Sequence, residues 1–165
     1  MRYALDVPNY GDYFEPRRLA ELAYEAEQSG WDGFFLWDTL WAGITEPIVD
    51  PWVALAAIAM RTERIRIGPM VTPVARRRPW KLARETLSID HLSNGRLVLG
   101  VGLGSPPETE YEQFGEEGDN RIRGAKLDEG LEVLAGLWSG EPFSYEGEHY
   151  QLGETVFSPR PVQRP

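Results

Sequence analysis

The sequence predicts an α/β fold of four parallel βα units, half of an eightfold βα barrel, with a small β-hairpin appended. Three observations carry this. Apolar runs of strand length alternate strictly with helical stripes, an order that demands a parallel sheet with helices outside it. Proline stands at the expected first position of three helices, at Pro16, Pro51 and Pro79. Near the end, two short aromatic runs flank Glu146-Gly147, as a hairpin requires.

The elements follow in order. Tyr3 to Val7 reads as a first strand, ended by Pro8-Asn9-Tyr10-Gly11. From Pro16, the residues Leu19, Leu22, Ala23 and Ala26 repeat at helical spacing, and Ser29-Gly30 closes the helix. Phe34-Phe35-Leu36-Trp37 is an unbroken apolar run, expected to be a strand covered on both faces. Asp50 before Pro51 is an N-cap, and Trp52, Leu55, Ala56 and Ala59 are the expected buried stripe of the second helix. Ile65, Ile67, Met70 and Val71 form a third strand broken by Gly68-Pro69. Pro79 opens a helix with Trp80, Ala83 and Leu87 on one face and Leu82, Thr86 and Ile89 beside it. Asn94-Gly95 turns the chain into a fourth strand, Leu97-Val98-Leu99 with Val101. A polar loop from Pro106 to Asp119 has the length of a lid. The last helix, Arg121 to Trp138, is expected to bury Leu127, Leu131, Leu134 and Trp138. Residues 1–158 are read as one domain and 159–165 as a Pro-rich extended linker.

Composition bounds the partners. The 165 residues are 42% hydrophobic and 26% charged, as in an ordinary globular domain, and the net charge is −9. An acidic chain argues against nucleic acid and anionic membrane as partners. Arg76-Arg77-Arg78 is a local exception, read either as a solvated loop or as an anion-attracting rim near a cofactor phosphate. The absence of cysteine excludes disulfides and thiolate chemistry within this sequence. With no signal-like or membrane-spanning run, a cytoplasmic protein is expected. His91 and His149 lack any neighbouring ligand pattern, so no metal site is expected.

The stretch VTPVARRRPWKLARETLSIDHLSNGRLVLGVGLG, together with GWDGFFLWD and LDEGLEVLAGLWSGEPFSYEGEHYQL, resembles the luciferase-like monooxygenase family along nearly the whole chain. The resemblance implies the N-terminal half of a (β/α)8 TIM barrel, with FMN or the deazaflavin coenzyme (coenzyme F-420) as cofactor and a small organic molecule as substrate. It also implies that Met70, Val71 and Thr72 form a bulge with a non-prolyl cis peptide that backs the cofactor ring. Gly102, Gly104 and Ser105 would then flank the ring and its ribityl chain. The plain reading of Thr72 is a strand terminus before Pro73. Functional groups of barrels lie at the C-terminal ends of strands, which independently marks Asp38, Thr72 and the Gly102–Ser105 turn. Asp38 is equally a residue that caps loop N–H groups. Many members of the family carry histidine after this aspartate; here it is Thr39, which puts acid–base chemistry there in doubt. Trp41, in the following loop, is a candidate for stacking on flavin or substrate. Asp90 and Arg96 bracket the Asn94-Gly95 turn and could pair.

Two function classes follow. One is a flavin- or deazaflavin-dependent oxidoreductase or monooxygenase. The other is a non-catalytic or truncated half-barrel that forms a homo-oligomer or needs a C-terminal partner. Either half-barrel leaves strand edges and an apolar face open, so a homodimer or larger homo-oligomer is expected.

Overall fold

The computed structural model describes residues 1–163 except Ala42 and Ile44. Strands β1 (Ala4–Val7), β2 (Gly33–Leu36) and β3 (Arg66–Pro69) form a parallel sheet in that order. Ala4 pairs with Gly33, and Gly33 with Arg66, so the three strands end at one level. Helices α1 (Pro16–Gln28), α2 (Pro51–Arg61) and α3 (Pro79–Leu92) are the crossovers between parallel strands. Each begins at its proline, where the missing N–H would have no helical partner. The Asp50 carboxylate accepts hydrogen bonds from the N–H groups of Trp52 and Val53, as an N-cap does.

The core lies between sheet and helices. Leu19 and Ala23 of α1, Leu55 and Ile58 of α2 and Leu82 of α3 meet Phe34, Leu36 and Ile67 of the sheet. Two buried charged side chains tie the crossovers together at the opposite end from the strand termini. Glu27, at the end of α1, accepts hydrogen bonds from the N–H groups of Glu63, Arg64 and Ile65 and so fixes the entry to β3. Arg96 donates to the carbonyls of Ala59 and Thr62 at the end of α2, and to those of Ile65 and Ser93. It therefore does not pair with Asp90, as the sequence had allowed. Asp90 instead accepts from the N–H groups of Val162 and Gln163. Residues 159–163 carry no regular element and lie along α3, with the Arg160 carbonyl 2.6 Å from His91 Nε2.

The third strand breaks at Gly68-Pro69 as expected, the expected fourth strand is also interrupted, and Pro69 explains why. Ile67 N–H donates to the Arg96 carbonyl and Val98 N–H to the Ile67 carbonyl, a regular parallel ladder. The next donor would be Pro69, which has none. The ladder resumes with Gly100 N–H on the Pro69 carbonyl, then shifts by one residue, so that Thr72 N–H, not that of Val71, reaches the Gly100 carbonyl. The chain thus continues as the short pair β4 (Thr72–Pro73) and β5 (Val101–Gly102). The extra residue is a bulge, and the Met70–Val71 peptide within it is cis.

Beyond β5 come a short helix α4 (Pro107–Glu110) and the long helix α5 (Asn120–Trp138), followed by the antiparallel hairpin β6 (Phe143–Glu146) and β7 (Gln151–Thr155). The buried face of α5 keeps Leu134, with Leu127 and Trp138 packed partly buried against the core as expected, and departs from expectation at Leu131. Arg123, Gly130, Val133, Leu134 and Leu137 are buried, while Leu131 faces outward. Gly130 decides this: a Cβ there would stand 2.7 Å from the Val74 side chain, so the helix seats its smallest residue against the loop before α3. The expected buried run at β2 also ends a residue early, since Trp37 is 41% exposed.

Candidate functional site

The site is built from residues just past the ends of β2, β3 and β5. Asp38, Met70, Val71, Gly104 and Ser105 line one recess of about 140 Å³ with Trp37, Thr39, Pro73 and Glu110. Thr72 lies behind its wall, fully buried, and Gly102 supports it from β5, where a Cβ would collide with Val71. Trp41 is half-buried and does not line the recess; its neighbours 42 and 44 lie outside the described residues.

The electrostatics centre on Asp38. Its Oδ2 accepts a hydrogen bond from the Thr72 hydroxyl at 2.9 Å. Arg76 Nη2 donates to Oδ1 at 2.9 Å, and Arg77 Nη2 reaches both carboxylate oxygens at 2.7 Å. These contacts take up the acceptor positions of the carboxylate, leaving none to receive a substrate proton. Asp38 is thus an ion-pair hub, and among the described residues its carboxylate caps no loop N–H group.

The arginine run is corrected in the same way. The side chains of Arg76 and Arg77 are 8% and 18% exposed, and only Arg78 is exposed to solvent. Arg76 also pairs with Glu110 of α4. Burial pushes the Arg76 guanidinium below its usual pKa and the charge of Arg77 adds to that, while Asp38 opposes it. Neither arginine forms a free positive rim for a phosphate.

Several residues that sequence reading did not single out fix the site's backbone. The buried Asn9 side chain donates to the carbonyls of Thr39 and Val49 and accepts from Thr39 N–H, which pins the chain after Asp38. Glu110 accepts from Leu40 N–H. Arg123 of α5, 1% exposed, donates to the carbonyls of Leu103 and Gly104. Its guanidinium lies 4.5 Å from the ring centroid of Tyr111, whose hydroxyl donates to the Leu103 carbonyl at 2.6 Å. Burial raises the Tyr111 pKa, with the Arg123 hydrogen bond opposing it. The only sequence signal for Asn9 was its turn; for Arg123, a charge on a helical face otherwise apolar, there was none at local range.

The recess is lined by Trp37, Met70, Val71 and Pro73 together with the polar residues Asp38, Thr39, Ser105 and Glu110. That surface suits the edge of a flat ring. At about 140 Å³ it falls below the roughly 300–1,000 Å³ of small-molecule pockets. Among the described residues, no cluster of three metal-ligating side chains occurs, and no helix is long and apolar enough to cross a membrane.

Residues 3–165 match the family described as luciferase-like monooxygenase. The chain belongs to that family. The F420-dependent glucose-6-phosphate dehydrogenase of Nakamurella multipartita is 35% identical over 157 residues, covering 92% of this chain and 45% of the relative. The chain therefore spans less than half the length of that luciferase-like relative. A monooxygenase of Streptomyces bottropensis superposes with a TM-score of 0.84 at 29% identity, over 99% of this chain and 51% of the other. The coenzyme F420 dependent tetrahydromethanopterin reductase of Methanopyrus kandleri superposes with a TM-score of 0.81, over 98% of this chain and 47% of its own. At 21% identity that likeness shows the fold alone.

Proposed function

We propose that the chain is the ring-binding half of a flavin- or deazaflavin-dependent oxidoreductase or monooxygenase acting on a small organic substrate. The observation that carries this is the convergence of Met70, Val71, Gly104 and Ser105 on one recess beyond the ends of parallel strands. The name of the Nakamurella relative supports the deazaflavin coenzyme over FMN. Bound there, the cofactor supplies the redox chemistry, and the protein's part is to bind, orient and shield it.

Met70 and Val71 back the ring, held by the Thr72 N–H bond to the Gly100 carbonyl. The Gly104 and Ser105 backbone flanks it, braced by Arg123 and Tyr111. Asp38 acts through Arg76 and Arg77 as a support and moves no proton. Thr39 contributes a hydroxyl where much of the family places an imidazole, so this chain orients its substrate there without a side chain that titrates near neutrality.

Among the described residues, no cation lines this recess for the phosphate end of the cofactor. We propose that the rest of the pocket comes from further polypeptide completing the four βα units to a barrel. A second copy, giving a homodimer, is the alternative source. A non-catalytic half-barrel is the competing reading, favoured by the engagement of Arg76 and Arg77 with Asp38.

The test is a fluorescence titration of the folded chain with FMN and, separately, with the deazaflavin coenzyme. Saturable binding near micromolar, about −8 kcal/mol, is expected for the deazaflavin. A folded sample that takes up neither overturns the stand-alone cofactor-binding reading.

A further inference from the structure

We propose that Trp37 gives the flat cofactor ring an aromatic contact beside the Met70–Val71 backing, and that Asp6 is its positioning residue; this rests on the cofactor reading above. The ladder puts Asp6 opposite Phe35, so Asp6, Phe35 and Trp37 share the face of the sheet turned away from the helices. Val7 and Leu36, the intervening pair, point toward the helical layer. Trp37 follows the last residue of β2, with its N–H bonded to the Val7 carbonyl, and it lines the same recess as Met70 and Val71.

The indole is held from two sides. Its Nε1–H donates to Asp6 Oδ2 at 3.2 Å, across 31 residues of sequence. The Tyr10 ring meets it edge-on, with centroids 6.0 Å apart and planes at 63°. An exposed tryptophan has two soft side-chain torsions, and a hydrogen bond at one end with an aromatic contact at the other removes that freedom before a ligand arrives. Trp37 keeps 41% of its surface open, enough to offer a ring face.

Asp6 has no cation to answer. Among the described residues it makes no ion pair, and Phe35 and Trp37, which share its face on the adjoining strand, carry no charge. Burial raises its pKa, and the Trp37 hydrogen bond pulls against that. Its one described side-chain partner is the indole. Among the described residues Trp41 has no side-chain hydrogen bond or ring contact of this kind, and it does not line the recess.

The chain has six tryptophans, so 5-fluorotryptophan labelling gives six fluorine resonances, and Trp37 is assigned by its loss in Trp37→Phe. In the free protein, Asp6→Ala is expected to shift or broaden the Trp37 line, and Asp6→Asn, which keeps an acceptor oxygen, to leave it near its original place. Titration with the deazaflavin coenzyme is expected to move the Trp37 line. Asp6→Ala should weaken binding about tenfold, with most of it restored by Asp6→Asn. A Trp37 line indifferent to Asp6→Ala overturns the positioning role. Coenzyme binding with the Trp37 line unmoved overturns the ring contact alone. Absence of binding by the folded wild-type chain overturns the cofactor reading and the ring contact together, while the free-protein comparison still decides the role of Asp6.

Discussion

Arg77 sets Nη2 2.7 Å from Oδ2 of Asp38, joining the loop before α3 to the end of β2 across 39 residues. A nearly buried carboxylate that loses one of its guanidinium partners keeps its desolvation cost without full compensation. Arg77→Ala is therefore expected to destabilise the fold by about 3 kcal/mol, the lower end for a broken buried pair, because Arg76 remains. Urea unfolding measures it, and a change below about 1 kcal/mol would show the pair to be incidental.

Glu110 connects the segment after β5 to the same hub through Arg76 and Leu40 N–H. Glu110→Gln removes the charge and keeps the shape. We expect residues 105–118 to be cut several-fold faster in limited proteolysis and stability to fall by about 3 kcal/mol, as for the other buried pair at this hub. Equal cutting rates would mean that α4 is held by packing and not by this link.

Gly68 has no room for a side chain, since a Cβ there would lie 1.8 Å from the Val98 carbonyl oxygen. The obstacle is backbone, which cannot turn aside as a side chain can. Gly68→Ala should separate β3 from the Leu97–Gly100 run and cost about 3 kcal/mol or more. Circular dichroism melts test this; wild-type stability would show that the two backbones part easily.

Glu27 governs part of the acid limb of stability. Burial alone raises its pKa, but the N–H groups of Ile65, Arg64 and Glu63 outweigh burial and hold it below the ordinary glutamate value. A depressed folded pKa means stability fully present above the unfolded value, about 4.3, and lost as pH falls through the folded one. Glu27→Gln should lower stability near neutrality and flatten its fall below about pH 4.3. Chemical denaturation at a series of pH values reads both; parallel curves for the two proteins would remove Glu27 from the acid response.

The local punctuation was legible because its causes lie within a few residues. Pro16, Pro51 and Pro79 start helices, Asp50 caps one, and Gly30 and Asn94-Gly95 take the left-handed conformation that ends a helix or makes a turn. That Asp38, Met70, Val71, Gly104 and Ser105 lie together past the strand ends, lining one recess, was legible through the barrel rule. The outward turn of Leu131 on α5 was not, because Leu131 fits a helical stripe with Leu127 and Leu134 as well as Val133 and Leu137 do, and the close approach of Gly130 to Val74 chooses.

By itself, then, the sequence determined the order of strands and helices, their starts and stops, and which loops gather at one end of the sheet. Those depend on backbone preferences, caps and apolar spacing, all short in range. Tertiary structure alone decided the partners of the charges: that Arg76 and Arg77 close on Asp38, that Arg96 serves carbonyls and leaves Asp90 to Val162 and Gln163, and that Asp6 meets Trp37. An arginine carries the same charge wherever it stands, and which carboxylate or carbonyl it meets is set by the strand ends that folding brings within about 3 Å.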